Sequence, residues 1–130
     1  MVVDSSAIFA ILLNEPERSL FLDAILSAKS ASLSAVTLLE CRIVALRRTG
    51  RDWDTELSGL LQRLPLTIIP FDDKQSVLAA EAFRAFGKSR HKAALNFGDC
   101  ISYALAKSRG EPLLYKGTDF AETDIASALA

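Results

Sequence analysis

Four short apolar runs, at 1–3, Ala31–Ser34, Leu66–Ile69 and Pro112–Tyr115, are each separated from the next by one or two amphipathic helical stretches. Strands joined through helices pair in parallel, because an antiparallel pair closes with a few turn residues whereas a parallel crossover needs a dozen or more. The chain therefore reads as an α/β fold, an α/β/α sandwich around a mostly parallel central sheet. At 130 residues it has the size of one domain, and residues 1–130 are expected to form one compact unit. In sheets of this kind ligands sit beyond the carboxyl ends of the strands.

The helical stretches carry their own start and stop signals. Ser5 or Ser6 is expected to cap a helix from Ala7 to about Asn14, and Pro16 to open a second one with Leu20, Phe21, Ala24, Ile25 and Ala28 along one stripe. A third covers Thr37–Arg48 and stops at Gly50, and a fourth runs over Trp53–Leu64, before Pro65. Asp72 or Asp73 caps a helix ending at Phe86, residues 87–94 make a basic loop, and Asn96 caps the helix that ends at Gly110. A turn at Lys116–Asp119 follows the last strand.

Composition narrows the setting. Half of the residues are hydrophobic and 24% are charged, the balance of a globular chain. The apolar stretch from Ile8 to Leu13 is too short to span a bilayer, and no basic segment precedes it, so a cytoplasmic protein without a membrane anchor is expected. Cys41 and Cys100 stand among apolar neighbours without metal-type spacing and read as buried free thiols.

Four acids are placed where solvated surface acids are out of place. Asp4 directly follows the first strand, and Asp119 follows the last one; either could serve only as a local cap or turn residue. Glu40 lies within about 60° of Val36, Ile43 and Val44 on a helical wheel, which points it into an apolar face. A carboxylate there needs a partner, and Arg47 is one candidate. Asp99 sits in the first turn of a helix that is apolar or small nearly all round. Strand ends and helix starts share one edge of a doubly wound sheet, so the fold would gather all four. They could not all ionise there without a counter-charge. Oxygen donors without nearby thiol or imidazole suit Mg²⁺ or Mn²⁺ rather than zinc. Setting the four aside also changes the charge balance: the formal −1 becomes +3, with 15 basic residues left against 12 of the 16 acids, which permits a polyanionic partner.

The ordered set Val3-Asp4-Ser5-Ser6-Ala7, Leu39-Glu40, Asn96-Phe97-Gly98-Asp99-Cys100 and Lys116-Gly117-Thr118-Asp119-Phe120 resembles the PIN-domain ribonucleases of the VapC toxin type. The resemblance covers essentially the whole chain, including Pro70-Phe71-Asp72 and Gly87-Lys88-Ser89-Arg90-His91-Lys92. The family usually carries Thr where Ser5 stands and commonly Asn where Thr118 stands. The resemblance implies a Mg²⁺-dependent endoribonuclease, with Mn²⁺ as a possible substitute, acting as the toxin of a type II toxin–antitoxin pair. It further implies Asp4 and Asp99 as principal metal ligands, Glu40 and Asp119 as the other catalytic acids, and Ser5 in support. RNA would be the substrate, a small antitoxin would block the site with a basic side chain, and the toxin would form a homodimer.

Lys88, Arg90, His91 and Lys92 form a basic cluster just before the Asp99 helix and are candidates to hold RNA phosphates, or else a solvated loop. A competing reading keeps the fold without catalysis, as an RNA-binding or antitoxin-binding module. A phosphotransfer protein fits less well: a phosphatase of that type needs an Asp two residues after Asp4, where Ser6 stands.

Overall fold

The computed structural model describes residues 1–129. Its strands are β1 (Val2–Val3), β2 (Ala31–Ser34), β3 (Leu66–Ile69) and β4 (Leu113–Leu114), and its helices are α1 (Ser5–Leu12), α2 (Arg18–Ser27), α3 (Ala35–Thr49), α4 (Asp54–Arg63), α5 (Asp73–Phe86) and α6 (Phe97–Arg109). A short 3₁₀ turn, Phe120–Glu122, follows β4. The sheet has the order β3-β2-β1-β4, and every pairing is parallel, with Val2 opposite both Ser32 and Leu113. β1 is thus an inner strand, and Asp4, the residue directly after it, lies near the middle of the sheet edge.

Two cores explain why the sheet must be covered on both faces. Successive strand residues point to opposite sides. Val3, Ala31, Leu33 and Leu114 pack with Ile8, Phe21, Ile25, Leu38 and Leu57 from α1 to α4. Val2 and Leu113 pack on the other side with Ala82 of α5 and with Cys100, Tyr103, Leu105 and Ala106 of α6. β1 and β4 are therefore apolar on both faces, as buried parallel strands are, while β2 alternates its apolar Ala31 and Leu33 with the buried Ser32 and Ser34. Among the described residues no helix is long and apolar enough to cross a membrane.

The element boundaries differ from the sequence reading mainly at α1. That helix begins at Ser5, and its cap is Asp4, whose side chain accepts from the Ser6 N–H. A carboxylate holds this position better than a serine because it is also favoured by the helix dipole. α2 starts at Arg18, beyond Pro16, with Phe21 and Ile25 buried but Leu20 exposed. Gly50 adopts the left-handed conformation at the end of α3, with φ 69°, as the expected stop. Asp72 caps α5, and Asn96 caps α6 in a reciprocal box with Asp99.

Leu33, fully buried in β2, couples the strand to the larger core. Truncation by Leu33→Ala is expected to lower unfolding stability by about 2–5 kcal/mol in urea titrations with an unchanged slope. A loss below about 1 kcal/mol would contradict its central position.

Candidate functional site

Asp4 leaves the end of β1 and turns into α1, and its carboxylate is 3% exposed. Both oxygens are fixed. Oδ2 accepts from the Ser6 hydroxyl at 2.7 Å and the Ser6 N–H at 3.1 Å, while Oδ1 accepts from the Ser102 hydroxyl at 2.6 Å. Ser102 is fully buried on α6, one turn after Asp99, and lies 3.4 Å from the buried Thr37 hydroxyl on α3. Ser6 in turn accepts from the Lys116 N–H at 3.0 Å, which ties the segment after β4 to the same carboxylate. Short O–H···O⁻ bonds of this kind hold one rotamer of Asp4.

Asp99 stands at the start of α6, where Asn96 and Asp99 exchange hydrogen bonds of 2.9 and 3.0 Å. Burial pushes its carboxyl up to about 7; the Asn96 N–H acts in the opposite direction, and the charges of Asp4, Asp119 and Glu40 add to the rise. Glu40 is likewise raised above the ordinary carboxyl value, first by burial and then by Asp4, against the effect of the Ser5 hydroxyl and of Arg48. Its Oε1 is buried with no hydrogen-bond partner. Gly98 packs so closely on the Glu40 carboxylate that a side chain there would overlap it. Asp119 is exposed after β4 and makes no capping bond with its side chain, so the local turn role considered for it is not what holds it.

Asp4, Glu40, Asp99 and Asp119 all line one open cleft of about 480 Å³ at the carboxyl edge of the sheet, together with Ser5, Ser6, Asn96, Arg47, Arg48 and Lys116. Burial is the main cause of the raised values of Asp99 and Glu40, and the neighbouring carboxylates add to it: Asp4, Asp119 and Glu40 for Asp99, and Asp4 for Glu40. Among the described residues, however, no three acidic, His or Cys side chains are drawn together as a ready-made metal cluster. The oxygen-only donor set and the unpartnered Glu40 Oε1 fit a hard divalent cation, which would supply the missing partner.

Three expectations change. The flank of α3 with Val36 and Ile43 is not the core face, which is formed by Thr37, Leu38, Cys41 and Ala45, with Val44 packed partly against the same core. Glu40 stands instead between the acidic cleft and a shallow apolar groove lined by Val36, Leu39, Ile43 and Phe97, because α3 buries only one flank against the domain. Among the described residues Arg47 forms no ion pair with Glu40. Finally, none of Lys88, Arg90, His91 and Lys92 lines the cleft. Lys92 pairs with Glu122 at 2.8 Å, Arg90 lies over the Phe83 ring, and His91 Nδ1 accepts from the Ala93 N–H at 3.0 Å, so local contacts hold the loop to its own surroundings. Cys41 and Cys100 are buried free thiols, and burial raises Cys100 to about 11.

Sequence reasoning overlooks Ser102; it offers Ser6 only as a cap and Arg47, Arg48 and Arg51 as either phosphate contacts or a solvated helix end, and the structure puts Ser6 on the Asp4 carboxylate and Arg47 and Arg48 in the cleft lining. Ser102 lies 98 positions from Asp4, and its only signal is a hydroxyl on a helix otherwise apolar, which must find a buried partner.

Comparison with known proteins places these features in context. Residues 1–126 match the family model of the PIN domain. The chain is 42% identical over 127 residues to a ribonuclease VapC of Mycolicibacterium smegmatis, with 98% of both chains covered. It is 43% identical over 130 residues to ribonuclease VapC28 of Mycobacterium tuberculosis, covering 99% of this chain and 98% of that one. Among solved structures, VapC20 of Mycobacterium tuberculosis, described as a toxin that cleaves the sarcin–ricin loop, superposes with a TM-score of 0.75 at 17% identity, covering 96% and 95% of the two chains. A toxin–antitoxin complex from Klebsiella pneumoniae gives 0.68 at 17% identity, covering 95% and 92%. VapBC2 from Rickettsia felis, bound to a promoter DNA fragment, gives 0.71 at 12%, covering 97% and 94%.

The raised Asp99 value has a definite sign. A carboxyl that titrates higher folded than unfolded favours the folded state fully only below its unfolded value, and that contribution is lost as pH rises through the folded one. Without divalent cation, Asp99→Asn is expected to gain stability relative to the parent between about pH 4 and about pH 8, read as the difference in melting temperature across that range. A pH-independent difference would contradict the burial of this charge.

Proposed function

Since the chain belongs to the PIN domain family, with VapC ribonucleases as its near-full-length relatives, we propose that it is a Mg²⁺-dependent endoribonuclease that acts as the toxin of a type II toxin–antitoxin pair. The observation that supports this reading best is the gathering of Asp4, Glu40, Asp99 and Asp119, distant in sequence, around one cleft. Asp4 and Asp99 would hold the ion, with Glu40 and Asp119 completing the acidic set directly or through water. Mn²⁺ is a possible substitute. When bound, the ion supplies charge stabilisation at the phosphoryl oxygen and activates water for in-line attack.

The chain's own residues prepare that site. Ser6 and Ser102 keep the Asp4 carboxylate in a single orientation. The Asn96 N–H holds Asp99 at the mouth of α6. Glu40 keeps one oxygen without a protein partner, and Ser5 faces it from the start of α1. None of these groups has to serve as a nucleophile, since hydrolysis needs only a positioned water. The antitoxin partner and a homodimer belong to the same reading, the former supported by the toxin–antitoxin assemblies among the structural neighbours. A cytoplasmic site of action goes with both. The basic loop of Lys88, Arg90, His91 and Lys92 would then meet RNA outside the cleft.

Asp4→Asn keeps the size and planar shape of the side chain while removing its charge and replacing one of its two acceptor oxygens with a donor amide, which the rotatable Ser102 or Ser6 hydroxyl can meet by accepting. Loss of several kcal/mol of charge stabilisation should lower cleavage of an RNA substrate in Mg²⁺ by about a hundredfold or more, with an unchanged circular dichroism spectrum. Undiminished cleavage would exclude Asp4 from the chemistry. If the parent binds Mg²⁺ and RNA yet cuts none, the chain is a binding module that retains the fold.

A further inference from the structure

An RNA strand entering this cleft meets a floor of like charge. Glu15 joins the four acids in the lining, against three cations, Arg47, Arg48 and Lys116. Something must draw the polyanion in. Lys116 is already engaged, at 3.3 Å from Glu15 and 3.1 Å from Glu17, so its charge is largely answered within the protein. Arg47 and Arg48 form no ion pair among the described residues. Arg48 is nevertheless not adrift, because its guanidinium lies 5.2 Å from the centre of the Phe9 ring, and Phe9 is itself a core residue that lines the cleft. An aromatic face holds a guanidinium in place while leaving its in-plane donors free.

We propose that Arg47 and Arg48 form a phosphate-gripping wall of the cleft, with Phe9 as the seat of Arg48, and that this wall holds the RNA backbone beside the bond that is cut. The assignment rests on the ribonuclease reading above and adds the means by which an acidic site retains its substrate. The guanidinium fork matches two phosphate oxygens, and the site provides no carboxylate that already saturates it. Both arginines also stabilise the carboxyl end of α3, but that role would be served equally by side chains turned away from the cleft. The wall is built by adjacent residues at the end of α3, whereas Glu40 lies two turns earlier on the same helix. One helix therefore presents an acid to the ion and cations to the strand.

The test is equilibrium binding of a labelled single-stranded RNA oligonucleotide to the full chain in Mg²⁺, across a series of salt concentrations, in the Asp4→Asn background. Arg47→Ala/Arg48→Ala should bind about tenfold or more weakly, and the slope of log affinity against log salt should fall by about 1.4, two phosphate contacts at about 0.7 each. Arg48→Lys keeps the charge but not the fork and should fall between. Arg63→Ala, at the end of α4 and outside the cleft lining, controls for general loss of positive charge. Melting temperatures of all variants report on folding, since Arg48 also covers Phe9. Affinity and salt slope equal to the parent's in the folded double variant would overturn the wall, as would an equal loss in Arg63→Ala or no measurable RNA binding by the parent. In the otherwise unaltered chain the double substitution should raise KM more than it lowers kcat. Absence of cleavage by the unsubstituted chain, with arginine-dependent binding intact, would remove the ribonuclease reading and leave the wall standing.

Discussion

Asp4 is a carboxylate buried at the end of an inner strand, and the surrounding structure is arranged to make that tolerable. An isolated charge in this position would cost several kcal/mol, so each oxygen needs donors. Those donors come from the first turn of α1 through Ser6 and from the far side of the domain through Ser102, which brings α6 and therefore Asp99 to the same place. Lys116, hydrogen-bonded to Ser6 through its backbone, brings the segment that carries Asp119. Satisfying one buried acid thus assembles three of the four acids. Burial at that edge, with the neighbouring charges adding to it, raises Asp99 and Glu40.

The topology explains why this can occur at low cost to the backbone. With every strand parallel, chain ends of strands and amino ends of α1, α3 and α6 fall on one edge, and their side chains meet there without long loops. The two cores behind the sheet are separately packed and leave the edge free for polar groups. The resulting site is held by secondary structure, which positions donors more firmly than loops do.

Much of this was readable in the residues because the local rules agree with the global fold. The β-branched run Leu66–Ile69 between prolines, the Gly50 stop and the Asn96 cap each have one local solution, and the structure adopts it. The failures have physical causes. A helical wheel around Glu40 identifies an apolar flank but not whether the domain covers it, and here α3 leaves that flank as a groove beside exposed Phe97. The basic loop from Lys88 to Lys92 has the composition of a phosphate site, but composition does not fix its place relative to the cleft, which here depends on packing, with Lys92 paired to Glu122 and Arg90 over the Phe83 ring. Ser102 and the Arg48–Phe9 contact depend on pairings between elements, which periodicity along one element does not encode.

Distant acids sharing one divalent ion are the premise on which the proposed chemistry stands. The most direct test is the anomalous scattering of Mn²⁺ soaked into crystals of the full chain. A peak in the cleft, coordinated by carboxylate oxygens of Asp4 and Asp99, is the predicted result. A cleft without any anomalous peak at saturating Mn²⁺, or a peak only at sites away from both residues, would contradict it.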